Sequence, residues 1–136
     1  MPPLRQRPQP EHTHPQVFVV AGRPRPKARP RIVRTNDATV RVYTPSSAHE
    51  HALAWEFRAQ RSYKATGPVG VTITIVERKW RGDIDNLAKL ILDALVKAEV
   101  LGDDRQVESL VCARHHGDEE LTRVVVTPAV LPTPRA

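Results

Sequence analysis

At 136 residues the chain is sized for a single domain, and its lone cysteine, Cys112, excludes an internal disulfide and fits a reducing cytoplasm. Lys and Arg number 21 against 15 Asp and Glu, a formal net charge of +6 that draws polyanions or anionic membrane surfaces. No apolar run approaches the ~20 residues of a membrane span, and no secretory apolar region follows Met1, so nucleic acid is the expected partner and no membrane is expected.

Residues 1–15 hold five prolines and almost no apolar content, which predicts a disordered tail. Residues 128–136 repeat that composition, so the folded domain is expected over 16–127. Val17 to Ala21 is a short apolar run ending at Gly22, the pattern of a buried strand. Arg23, Arg25, Lys27, Arg29 and Arg31 follow, interleaved with prolines that prevent helix and display the bases on an extended segment. Residues 31–35 and 39–43 are expected to pair as a hairpin around Asn36-Asp37. Ser47 and Glu50 fit a capping box, opening a helix that runs to about Arg61. Its apolar supply is Ala52, Leu53, Trp55, Phe57 and Ala59.

Val69, Val71, Ile73 and Ile75 alternate with Gly70, Thr72, Thr74 and Val76, which predicts a strand. From about Asp85 to Ala98, Leu87, Leu90, Ile91, Ala94, Leu95 and Ala98 recur at helical spacing, with Gly102 as the stop. Residues 106–113 and 121–127 are expected to form a hairpin around His115-His116-Gly117-Asp118. The fold class is therefore α/β (α+β): a mixed β-sheet with two main helices on one face.

Chemistry concentrates between these last helical and strand segments. Five of the seven aspartates lie within residues 83–104, where six acids meet two lysines. The remaining 114 residues carry 19 bases against 9 acids. Carboxylate oxygens suit Mg²⁺, and the surrounding bases suit a phosphate backbone. If Asp83 and Asp85 lie on extended chain, the two-residue period puts both carboxylates on one side. Asp103 and Asp104 come after a helix about 21 Å long, so the returning chain or a second subunit must bring them back. The loop at 99–105 is expected to fold along the helix, with residues 104–107 joining the sheet beside the 69–77 strand. The competing roles are ordinary ones: an N-cap for Asp83, turn formation for Asp103-Asp104 and a surface pair between Lys89 and Asp93. One cap needs one aspartate, however, not two flanking an isoleucine. The histidines lack metal-ligand spacing: His49 and His51 do not share a helix face, and His115-His116 fall in an expected turn.

Gly22-Arg-Pro-Arg-Pro-Lys27-Ala-Arg29-Pro-Arg31, Tyr43-Thr44-Pro45, Asp83-Ile-Asp85-Asn86-Leu87-Ala-Lys89 with Asp93-Ala94-Leu95, and Asp103-Asp104-Arg-Gln106-Val107 together closely resemble the RusA family of Holliday junction resolvases. The resemblance runs from about Val17 to Pro128. It implies a homodimeric, Mg²⁺-dependent endonuclease acting on four-way DNA junctions, with Mn²⁺ as a substitute ion. Asp83, Asp85 and Asp104 are the implied catalytic carboxylates, with Lys89 as the site's base residue. Asp103 is the other acid of its pair and joins the implied metal set. A bacterial or phage-infected cytoplasm is the implied setting. A two-fold symmetric junction fits a two-fold dimer with two sites on opposed strands.

Backbone contacts are expected from Arg23, Arg25, Lys27, Arg29 and Arg31, and from Arg78, Lys79 and Arg81 beside the aspartates. Such contacts give salt-dependent affinity, not sequence choice. Trp80 has two open roles, stacking on an unpaired base or filling core. The alternative function is a non-catalytic basic DNA-binding module whose aspartates only cap helices. A D-x-D nucleotidyl- or glycosyltransferase is disfavoured, because the six glycines are unclustered and the chain is short.

Overall fold

The computed structural model describes residues 14–22, 31–34, 40–43 and 48–129. Four strands form one mixed sheet: β1 (Gln16–Ala21), β4 (Val69–Glu77), β5 (Val107–His116) and β6 (Leu121–Pro128), in the order β1-β6-β4-β5. β1 runs antiparallel to β6, and β6 antiparallel to β4. β4 and β5 are parallel. The helices are α1 (Ala48–Gln60) and α2 (Ile84–Lys97). β2 (Arg31–Arg34) and β3 (Val40–Tyr43) pair antiparallel with Arg31 opposite Tyr43, as the hairpin expectation requires. The turn expected around Asn36-Asp37, the capping residue expected at Ser47 and the bases at 23–29 lie outside the described residues.

The alternation along β4 sorts its side chains as expected. Val69, Val71, Ile73 and Ile75 are fully or almost fully buried, and Thr72 faces out. On the same face β1 contributes Phe18, and β6 contributes Val124 and Val126. The helices cover this face with Leu53 and Phe57 of α1 and Leu87, Leu90, Ile91, Ala94 and Leu95 of α2. Phe18 meets Phe57 edge to face, ring centroids 5.5 Å apart. The opposite face stays open, with Val17 and Val19 about half exposed.

α1 is less amphipathic than its sequence implies. Of the helix's apolar residues, Ala52 and Ala59 are exposed and Trp55 is 75% exposed, so these three do not join the core. The buried side of α1 carries Leu53, Ala54 and Phe57, and also Glu50, whose carboxylate pairs with Lys97 of α2. Gln60 fixes the end of α1 to β1: its side-chain amide accepts from Val19 N–H and donates to Val19 C=O, both at 2.9 Å.

Two expectations fail. The first concerns the last two strands, which are not a hairpin. β4 lies between β5 and β6, and His115-His116 belong to β5 instead of a turn. The crossover through α2 places β5 parallel on one edge of β4. Residues 117–120 then pass the end of β4 and deliver β6 to its other edge. Two strand spacings are about 10 Å, and four extended residues reach about 13 Å, so the short connection suffices. Gly117 N–H anchors it on Glu77 C=O at 3.1 Å, and Arg78 Nε donates to Asp118 C=O at 2.9 Å.

The second failure is the stop signal after α2. The helix ends at Lys97 with Ala98 as its C-cap, where the apolar spacing placed it, but the left-handed residue that stops it is Glu99, with φ 59°, not Gly102. Glu99 N–H bonds Val96 C=O and Val100 N–H bonds Leu95 C=O, each at 3.0 Å, closing a Schellman motif. Val100 is fully buried, so apolar packing fixes a turn that glycine would normally form. Arg61 supports it by donating to Glu99 C=O at 2.9 Å.

Candidate active site

The β4-α2-β5 unit gathers the acidic segments. After β4, Arg78, Lys79 and Arg81 are all exposed. Gly82 has φ 74°, a conformation that favours glycine, and turns the chain into α2. Asp83 is the N-cap residue, extended at φ −85° and ψ 142°, but its carboxylate makes no capping hydrogen bond. Asp85 already lies in the first helical turn. The expected two-residue alternation of Asp83 and Asp85 therefore does not apply, because the helix begins between them. Both carboxylates are exposed, at the positive end of the helix dipole, where negative charge is favoured.

Lys89 follows one turn after Asp85 on the same helix ridge. Its Nζ lies 3.3 Å from Asp93 and 3.5 Å from Asp104. The chain after α2 has folded back along the helix and set Asp104 against its second turn. That is the return path expected for residues 99–105, and Val107 then pairs with Val69 at the start of β4. The expected Lys89–Asp93 surface pair is present too.

Asp103 and Gln106 shape the short 3₁₀ turn Asp104–Gln106. Asp103 accepts from Arg105 N–H at 2.9 Å. Gln106 Oε1 accepts from Gly102 N–H at 2.7 Å and Asp103 N–H at 3.0 Å. Gln106 Nε2 donates to Ala65 C=O and Gly67 C=O, each at 3.0 Å. Asp103 thus fills the turn-forming role weighed for it. Its carboxyl is held below the usual carboxylate range, first by the Arg105 N–H and then by a hydrogen bond with the Asp104 side chain. Gln106, a positioning residue, was present in the sequence motif, but nothing in its spacing disclosed a four-way clamp.

Trp80 resolves toward the surface. It is 42% exposed and stacks on His116 at 4.4 Å, with the rings 2° from parallel. Cys112 sits half-buried against the core, as expected of a strand residue, and burial raises its thiol pKa.

The site brings together Asp104, Lys89 and Asp93, with Asp85 one turn away and Asp83 at the cap. Among the described residues, no three His, Cys, Asp or Glu side chains are close enough to hold an ion as they stand. The donor chemistry does fit one: exposed carboxylate oxygens suit Mg²⁺, which retains several waters and takes only one or two carboxylates directly. No described helix is long and apolar enough to cross a membrane.

Comparison with curated proteins gives no match. A protein-family model, Endodeoxyribonuclease RusA, matches residues 21–127. That span contains α1, α2, β4, β5 and nearly all of β6, with every acidic residue of the site. The chain belongs to the RusA endodeoxyribonuclease family, the nucleases of Holliday junctions.

Proposed function

We propose that this enzyme cuts four-way DNA junctions by paired symmetric nicks, using Mg²⁺ held by Asp83, Asp85 and Asp104. The observation that supports this most is the contact between Asp104 and Lys89, which sets the second acidic segment against the helix that carries the first. A bound Mg²⁺ supplies a water of lowered pKa and charge neutralisation at the leaving oxygen. Lys89 offsets repulsion among the carboxylates and keeps Asp104 in place. Asp103 and Gln106 hold the Asp104 turn. Arg78, Lys79 and Arg81 grip the phosphates that flank the cut. The same backbone role extends to Arg23, Arg25, Lys27, Arg29 and Arg31. Two copies act together, one on each opposed strand, as the two-fold symmetry of the junction requires.

The test is cleavage of a labelled four-way junction, with linear duplex as control, with and without Mg²⁺. Asp83→Asn and Asp85→Asn are expected to lower cutting by about 10²-fold or more, on the scale of other charge-stabilising groups, while binding persists. Normal cutting by either variant removes the assignment. Full activity from a species of 15.3 kDa, the mass of one chain, contradicts the dimer.

A further inference from the structure

The geometry assigns a second task to the end of β5. We propose that Trp80 and His116 form a stacking platform for one unpaired base at the branch point, and that Arg114 ties this platform to the Asp83 turn. The inference rests on the junction-cutting function proposed above and adds three interacting side chains to it.

Trp80 is held without being buried. Its ring stacks on His116, its Nε1 donates to His115 C=O at 3.4 Å, and Arg114 lies 5.7 Å from its ring centroid. His116 is itself exposed. The pair therefore offers flat aromatic surface to solvent, beside the exposed Arg78, Lys79 and Arg81. Aromatic faces among cations match nucleic acid, where rings take bases and the cations take phosphates. Within a duplex both faces of a base are already stacked. A base that has lost a neighbour, as at a branch point, adds a third plane to this pile.

Arg114 joins the platform to the chemistry. Its Nη2 donates to Arg81 C=O at 3.1 Å and to Gly82 C=O at 2.6 Å. These carbonyls immediately precede Asp83. Arg114 therefore contacts the Trp80 ring with the same guanidinium that fixes the turn into α2. It is a positioning residue: movement at the ring is passed to the carboxylates of the first acidic segment.

The platform is tested by metal-free binding of the full chain to two four-way junctions, one intact and one abasic at the crossover. The wild type is expected to prefer the intact junction by about 5- to 100-fold, the range of base–aromatic stacking. Trp80→Ala and His116→Ala should each bring that preference near unity, and His116→Phe should restore it to within about twofold, because a ring is what stacking requires. A preference retained by Trp80→Ala overturns the platform. Arg114→Lys keeps the charge and loses the fork; it should raise the Mg²⁺ needed for half-maximal cutting by about 10-fold, the usual size of outer-shell effects. An unchanged Mg²⁺ requirement overturns the link through Arg114. A protein that binds and cuts the intact junction but ignores the abasic change refutes this inference alone. Failure to bind or cut any junction refutes the proposed function and the platform with it.

Discussion

Gln106 commits both ends of its amide to shaping the turn that carries Asp104: Oε1 gathers the N–H groups of Gly102 and Asp103, and Nε2 gathers the carbonyls of Ala65 and Gly67. Gln106→Ala leaves four backbone groups to find water and releases the turn that carries Asp104. The expected loss is about 1–3 kcal/mol in urea unfolding, with cutting impaired beyond the loss of fold. No change in either contradicts the clamp. Asp103 makes a pH prediction. Its folded pKa is depressed, so the stability it contributes is present above the ordinary carboxylate range and is lost as pH falls through the depressed value. Acid titration of unfolding should therefore show Asp103→Asn with a shallower loss below that range than the wild type. An identical acid limb contradicts it. The sequence exposed the acids as a group because their density is unusual. Their density and spacing did not separate Asp103 from Asp104, since adjacent identical side chains differ only in what the fold puts beside each; only the family resemblance ranked Asp104 first.

Among the elements, α2 was readable and α1 only partly so. The apolar positions of α2 sit at helical spacing and every one expected is buried. α1 has only three large apolar side chains, Leu53, Trp55 and Phe57, and Trp55 points outward, while a buried Glu50 takes a core position with Lys97. Composition identifies helix; it does not identify which face a neighbour will cover. A paired measurement states the difference. Ile91→Ala in α2 should cost about 2–5 kcal/mol, whereas Trp55→Ala should stay within about 0.5 kcal/mol. Equal costs contradict the packing. The strand reading has the same limit: β4, β5 and β6 were all read as strands, but the pattern along each contains no information on which strands are neighbours. The crossover helix settled that, by forcing β5 parallel to β4. The end of α2 near Ala98 was readable, but its stop residue was not, because apolar packing of Val100 outweighed the intrinsic preference for glycine at the left-handed position.

At the scale of the whole molecule, a basic chain folds so that its acidic residues meet along one helix. Six acids of residues 83–104 lie on α2, at its cap and in the loop that folds back beside it, while the rest of the chain carries the positive excess. Separation of this kind lets one surface hold cations while its surroundings hold phosphate. Composition already disclosed that division. The return of the 99–105 loop along the helix was expected from the chain's geometry, but the pairing of Asp104 with Lys89 needed three dimensions, because spacing alone does not say which helical turn the loop meets. The most direct measurement is Mn²⁺ binding followed by electron paramagnetic resonance, in the wild type, Asp85→Asn and Asp104→Asn. If both acidic segments ligate the ion jointly, each variant is expected to bind Mn²⁺ about 10-fold or more weakly than wild type, as loss of a charged ligand should. Wild-type affinity in Asp104→Asn, with the fold intact, contradicts a shared site.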